Sequence, residues 1–238
     1  MKKSLVIPAF ALLVAQPMLS QAWDGGGFGG CDIPASTVSA VQSTLAAVII
    51  LKNGGIFSPN RMWSAIVDRH GKLCSVINSG NDPWPGSRAI AIAKASTAND
   101  FSNSGLALST ANLYAATQPG GSLYGLNNSN PFNPVFDQQN LGVGFVPGGI
   151  ITFGGGVALY EGTQVIGGLG VSGDSSCADH AIAYRMRHMA GLDTIPGGVG
   201  LNHTDNIVYP PADTTSLTGF AQPTGFEQPH CFPQDITP

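Results

Sequence analysis

Charged side chains are scarce in this sequence. Lys, Arg, Asp and Glu make up 10% of its 238 residues, and ten basic against fourteen acidic groups leave a net charge of −4. A chain that holds nucleic acid needs a basic face to neutralise phosphates, so this composition argues against such a partner. No Cys-x-x-Cys pair occurs among the four cysteines, which weakens a structural zinc site. No apolar run approaches the roughly 20 residues of a spanning helix, so no transmembrane segment is expected. No internal repeat is visible either, and the length suits one domain with irregular additions.

What the chain does have is glycine, 32 residues of it, beside 43% apolar residues, enough for a core. Residues 1–22 read as a secretory signal: Lys2 and Lys3, an apolar Leu5–Val14, then the small-x-small site Ser20-Gln21-Ala22. The mature chain is therefore expected to be soluble, to begin near Trp23 and to lie in the periplasm or outside the cell. In that oxidising setting Cys31, Cys74, Cys177 and Cys231 predict two disulfides. Of the three connectivities, Cys31–Cys231 and Cys74–Cys177 are expected: the first ties the two irregular ends together, the second joins a strand to a helix start.

Residues 23–35 form a glycine-rich lead-in. Val38, Val41, Leu45, Val48 and Ile49 recur at helical spacing over Ser36–Leu51, and Asn53-Gly54-Gly55 ends that helix. Met62–Asn78 alternates as a hairpin about Arg69-His70-Gly71-Lys72, and an alanine-rich helix follows over Arg88–Phe101. A short helix is expected over Ser109–Ala116, then a long polar loop over 119–149. Closing strands begin at Ile150–Phe153, continue through Val157–Tyr160 and Gln164–Ser172, and feed a last helix from Cys177. Residues 36–190 thus form the domain, and 191–238, rich in proline and glycine, a tail ordered by docking. Strands joined by tight turns are antiparallel, so the order α-β-β-α-α-β-β-β-α predicts an α+β domain, an antiparallel sheet flanked by helices.

Several motifs compete for the chemistry. Gly168-Leu169-Gly170-Val171-Ser172-Gly173 has the G-x-G-x-x-G spacing of a dinucleotide loop, with Asp193 about twenty residues on, but no parallel strand follows its helix. Gly173-Asp174-Ser175 is similar to a serine-protease nucleophile segment without the strands that would build two barrels. His180 and His188 share a helix at a spacing that does not make an i, i+4 metal pair. His70 in its turn reads as solvated, and His203 and His230 lie in the tail. His180, near the glycine-rich exit, is the best-placed ligand. Asp179 either stabilises the helix start or contacts a ligand.

Four motifs in order resemble the GlcG/HbpS-like family, a haem-binding or haem-degrading domain. They are Val67-Asp68 with Gly71 and Leu73; Ala93-Lys94-Ala95-Ser96-Thr97-Ala98 with Phe101; Gly154-Gly155-Gly156-Val157-Ala158-Leu159; and Gly162, Val165-Ile166-Gly167, Gly170-Val171-Ser172-Gly173 with Asp179. Ala158 stands where that family usually has proline, and the tail has no counterpart. The resemblance implies a three-layer α-β-α fold, homo-oligomers and, in some members, haem or iron binding with redox sensing. No haem ligand of the family maps onto a residue here; joined with the signal pattern and the residues read above, the resemblance gives an exported haem binder whose ligand is expected near 154–180, the candidates being His180 as axial ligand, Asp179, Ser172 and Gly173 beside it, and Lys94 and Arg88 as cations for the propionates. The alternatives are an accessory enzyme or binding module for a small catabolic metabolite, using Lys94, Ser172 and Asp179, and a structural subunit of an exported complex.

Overall fold

A computed structural model describes residues 30–137, 141–210, 225–233 and 235–238. The expected signal segment and all of the lead-in before Gly30 fall outside them. The domain opens with helices α1 (Ala35–Ser43) and α2 (Leu45–Val48), which divide the expected first helix at Thr44. Then come the hairpin β1 (Trp63–Asp68) and β2 (Leu73–Asn78), the helix α3 (Ser87–Asp100), and a 3-10 turn running into α4 (Tyr114–Thr117). The hairpin β3 (Gly156–Glu161) and β4 (Gln164–Ser172) leads to α5 (Ser176–Met189), which Ser175 caps through its hydroxyl on the Ala178 amide. The four strands form one antiparallel sheet in the order β2-β1-β4-β3.

The period-two alternation of the strands sorts the core into two layers. Met62, Ile66, Leu159, Leu169 and Val171 face α1, α2 and α5, where they meet Val41, Leu45, Ile182 and Met186. Trp63, Ala65, Val67 and Leu73 face the other way, onto Ala91, Ile92 and Ala95 of α3. The result is an α-β-α arrangement with α3 alone on one side. Here the glycine-rich exit finds its purpose. A Cβ on Gly168 would sit 2.1 Å from the Ala95 carbonyl oxygen, and one on Gly170 would sit 2.0 Å from that of Ala91. The spacing that imitates a dinucleotide loop lets an alanine-rich helix lie with its backbone against the sheet.

Two expectations fail. Ile150–Phe153 is not a strand: the Ile151 amide donates to the Thr97 hydroxyl at 2.9 Å, and left-handed Gly148 and Gly149 precede it, so it never reaches a ladder. The cysteines also pair otherwise than expected, as Cys31–Cys74 and Cys177–Cys231 rather than Cys31–Cys231 and Cys74–Cys177. The reason is position in the sheet. Cys74 lies on the edge strand β2, next to the incoming chain, where the Asp32 amide donates to Asp68. Cys177 lies in the first turn of α5, where the returning tail meets it.

The long loop and the tail both pack on the sheet's edges. The Leu73 amide donates to the Phe145 carbonyl and the Gly144 amide to that of Leu73. On the opposite edge, the outward groups of β3 are taken by Thr110 (from the Gly156 amide), Arg187 (to the Ala158 carbonyl) and Leu192 (from the Tyr160 amide).

Candidate functional site

The residues singled out from the sequence fall into four separate environments. Lys94, on α3, passes between strands to Asp179 in the first turn of α5. Its Nζ lies 2.7 Å from Asp179 Oδ2 and donates to the Val171 carbonyl at 3.1 Å, and both side chains are fully buried. The other Asp179 oxygen accepts from the Asp174 amide at 3.0 Å. Burial pushes both groups toward their neutral forms, raising the Asp179 carboxyl and lowering the Lys94 ammonium, and each partner opposes that shift in the other. Such a pair joins the α3 layer to the α5 layer through the sheet.

His180, the next residue, belongs to a different network. Its Nε2 lies 3.0 Å from Asn206 Oδ1 and 3.0 Å from the Ile207 amide nitrogen, while Nδ1 has no partner among the described residues. Burial pushes its pKa down to about 4, so the ring is neutral. The tail segment that covers it is held by a buried two-pronged ion pair, Arg187 to Asp205, with both contacts at 2.6 Å. Above this lies the final stretch, where Gln228 accepts from the Gly154 amide and donates to Ser176, and Cys231 is bonded to Cys177.

Ser172 and Gly173 close β4 beneath the Arg61 backbone, a Cβ on Gly173 falling 1.9 Å from the Arg61 carbonyl oxygen. Arg88 is remote from all of these. It holds the long loop, donating to the Phe136 and Leu141 carbonyls, and stands 4.0 Å from Asp137. The structure therefore joins Lys94 to Asp179, sets His180 in a neighbouring sealed network, and leaves Arg88 in a structural role.

A haem needs an axial donor, an apolar face and cations for its propionates. His180 does not meet this demand with the tail in place, because the residue is fully buried and its Nε2 is held by Asn206 and Ile207 of the tail. The fit is better at the β1–β2 turn, which sequence reasoning passed over. His70 is 68% exposed there, and its Nε2 lies 3.2 Å from Asp32 Oδ2. A carboxylate on one ring nitrogen fixes the tautomer and leaves the other, Nδ1, with a lone pair, the arrangement typical of ligating histidines. Lys72 reaches the same Asp32 at 3.9 Å. Against the turn rests the apolar ledge of the long loop: Val146 contacts the position of Gly71, and Leu141, Val143, Phe145 and Val146 are each 44–57% exposed. A histidine beside an apolar stretch that far along the chain leaves no periodic signal; only the length of the loop hinted at it.

Among the described residues, the only sets of three or more acid, cysteine and histidine groups close enough to share a metal ion are Cys31–Asp68–Cys74 and Cys177–Cys231–Asp235. Disulfides occupy the sulfurs of both. No described helix is long and apolar enough to cross a membrane.

Comparison with known proteins bears on this geometry. The family described as haem degrading protein HbpS-like matches residues 56–187, which run from the cis-proline loop before β1 into α5. The Klebsiella pneumoniae protein ORFY has a similar fold: TM-score 0.51, 22% identity, covering 70% of this chain and 96% of that one. A structure titled as a PduOC:Heme complex is similar at 26% identity and TM-score 0.51, covering 68% of this chain and 98% of that one. No curated protein matches the sequence. The tail that seals His180 lies wholly beyond the matched stretch.

Proposed function

Because the chain belongs to the HbpS-like family of haem degrading proteins, we propose that it is an exported haem-binding protein whose haem rests on the ledge beside the β1–β2 turn. The observation that carries this reading is His70, an exposed imidazole oriented by Asp32 and adjoining the exposed apolar residues Val143 to Val146. The similarity to the PduOC:Heme complex supports the ligand class. The amino-terminal signal pattern and the two disulfides support export.

The chain's own residues divide the work of binding. Asp32 accepts from one nitrogen of His70 and holds the ring, which leaves Nδ1 for the ligand. Val143, Phe145 and Val146 take apolar surface out of water, at about 25 cal/mol per Å² covered. Lys72 supplies a positive charge at the turn. Haem, when bound, supplies the iron chemistry.

Titrating the mature chain with hemin tests the reading. A Soret shift that saturates is expected, with His70→Ala weakening binding by about tenfold or more and altering the band, and His180→Ala leaving the spectrum unchanged. A wild-type chain that leaves the hemin spectrum untouched would overturn it.

A further inference from the structure

The tail is tied to α5 through a bond set among hydrogen-bond donors. Cys177, in the first turn of the helix, is 1% exposed, while Cys231 is only partly buried. We propose that Cys177–Cys231 is a thiol–disulfide exchange site whose reduction by a dithiol frees the tail from α5, and that Cys31–Cys74 is the inert structural bond.

The surroundings of the first bond suit its reduced form. The Cys231 amide donates to Cys177 Sγ at 3.1 Å, and Gln228 Nε2 lies 3.6 Å from the same sulfur. The Cys177 amide donates to Cys231 Sγ at 3.2 Å, and the Ser176 hydroxyl stands 3.3 Å from it. Cys177 also lies where the unpaired amides of a helix start favour negative charge. A thiolate so placed is stabilised over the thiol. The Pro229 carbonyl, 3.8 Å from Cys177 Sγ, opposes these donors from farther off. The Asp235 carboxylate, within 4.8 Å of both sulfurs, disfavours a second thiolate. Its Oδ1, however, is buried with no partner among the described residues, and so can accept the S–H of Cys231 once the bond opens.

The other bond is set differently. Cys31 Sγ receives the Ile33 amide at 3.3 Å, but Cys74 Sγ faces the Lys72 carbonyl at 3.6 Å. Asp68, within 4.8 Å of both sulfurs, already accepts the Asp32, His70 and Lys72 amides, so a thiol there would compete with them. Cys31 precedes α1 and Cys74 lies on β2, so neither sulfur has a helix start beside it.

The exchange follows from this asymmetry. One thiolate of the dithiol attacks the more exposed Cys231 sulfur and forms a mixed disulfide, and Cys177 leaves with the electron pair as the stabilised thiolate. The second thiol then displaces Cys231, and the reductant ends as its own disulfide. Of its two protons, one finishes on Cys231 and the other goes to solvent. What the bond fastens is the cover of His180. Asn206 and Ile207 hold that ring, and the end of the chain packs on them in turn: Tyr209 stacks on His230 at 3.9 Å between centroids, the Gln228 amide donates to the Val208 carbonyl at 2.9 Å, and Asn206 donates to the Pro238 carbonyl at 3.0 Å. With the bond open, only non-covalent contacts keep these segments on α5, so they open locally more often and uncover His180. None of this depends on where haem rests.

Equilibrating the mature wild-type chain in graded ratios of reduced to oxidised dithiothreitol, then alkylating free thiols and mapping the peptides, tests the assignment. Cys177 and Cys231 are expected to take label at a ratio about tenfold lower than Cys31 and Cys74, a difference of ~30 mV. When that pair alone is reduced, hydrogen exchange in 205–209 and 225–233 should quicken by about tenfold or more while β1 and β4 stay unchanged. Cys177→Ala with Cys231→Ala should reproduce the quickening without reductant. Equal ratios for the two bonds, earlier opening of Cys31–Cys74, or tail exchange indifferent to reduction would overturn the proposal. The wild-type titration decides the exchange site whether or not the double variant folds.

Discussion

His180 was the most attractive single residue in the sequence, and its environment turns it from a ligand into a pH-sensitive part of the core. Its pKa falls from an ordinary 6.5 to about 4, chiefly through burial. Between those values the unfolded chain carries the proton and the folded chain does not, so stability drains away as pH falls through that window and is whole above it. At 1.36 kcal/mol per unit the effect amounts to about 3 kcal/mol. Urea unfolding of wild type and His180→Gln at pH 7 and pH 4.5 should therefore show the stability gap between them closing on acidification; a gap independent of pH would refute the account. The family motifs placed Lys94 on a helix and Asp179 at the start of the last one, and there the two form a buried ion pair between α3 and α5. The motifs gave no sign that Asp179 and His180, adjacent in sequence, point into different networks. Asn206 and Ile207, which seal His180, come from a tail without periodicity, and Asp32, which orients His70, lies 38 residues before it. Partners so far off in an irregular chain leave no local trace.

At the scale of elements, β4 and α3 depend on each other more closely than ordinary side-chain packing would require. Alternation along β1 and β2 and alanine spacing along α3 were enough to draw the hairpin and the helix to within a residue or two. The same reading took Ile150–Phe153 for a strand, since four apolar-rich residues carry no period of their own; left-handed Gly148 and Gly149 and the hydroxyl of Thr97 decide otherwise. Why Gly168 and Gly170 are glycines is visible only once α3 lies across them. Adding one methyl at Gly170 places it 2.0 Å from the Ala91 carbonyl oxygen and 2.5 Å from the Ala95 nitrogen, both of them backbone atoms that cannot swing aside. Gly170→Ala should accordingly cost about 3 kcal/mol or more, measured by thermal or urea unfolding. A loss under about 0.5 kcal/mol, the range of ordinary surface substitutions, would mean that α3 slides freely on the sheet.

For the whole molecule, the matched family stretch ends at residue 187 while the chain continues around it. Cys177–Cys231 closes a separation of 54 residues and fastens the described segment 225–233 to α5. Removing it as Cys177→Ala with Cys231→Ala should lower unfolding stability by about 2–4 kcal/mol. Peptide mapping without reductant should recover Cys31–Cys74 and Cys177–Cys231, and the recovery of any other pairing would refute the topology of the tail. That connectivity was beyond reach from sequence, because it depends on which edge of the sheet each chain end returns to.

The way the loop and the tail cover the sheet's margins also bears on how copies of the protein can meet. An open β-edge is a template onto which another chain can add a strand, the first step toward runaway aggregation. Here Phe145 and Gly144 occupy the margin of β2 at Leu73, and Thr110, Arg187 and Leu192 occupy that of β3. The long loop covers one margin in part, and the 3-10 turn, α5 and the tail together cover the other. At these covered positions another copy cannot add a strand, so association there is steered toward helix faces or the apolar ledge rather than toward extension of the sheet.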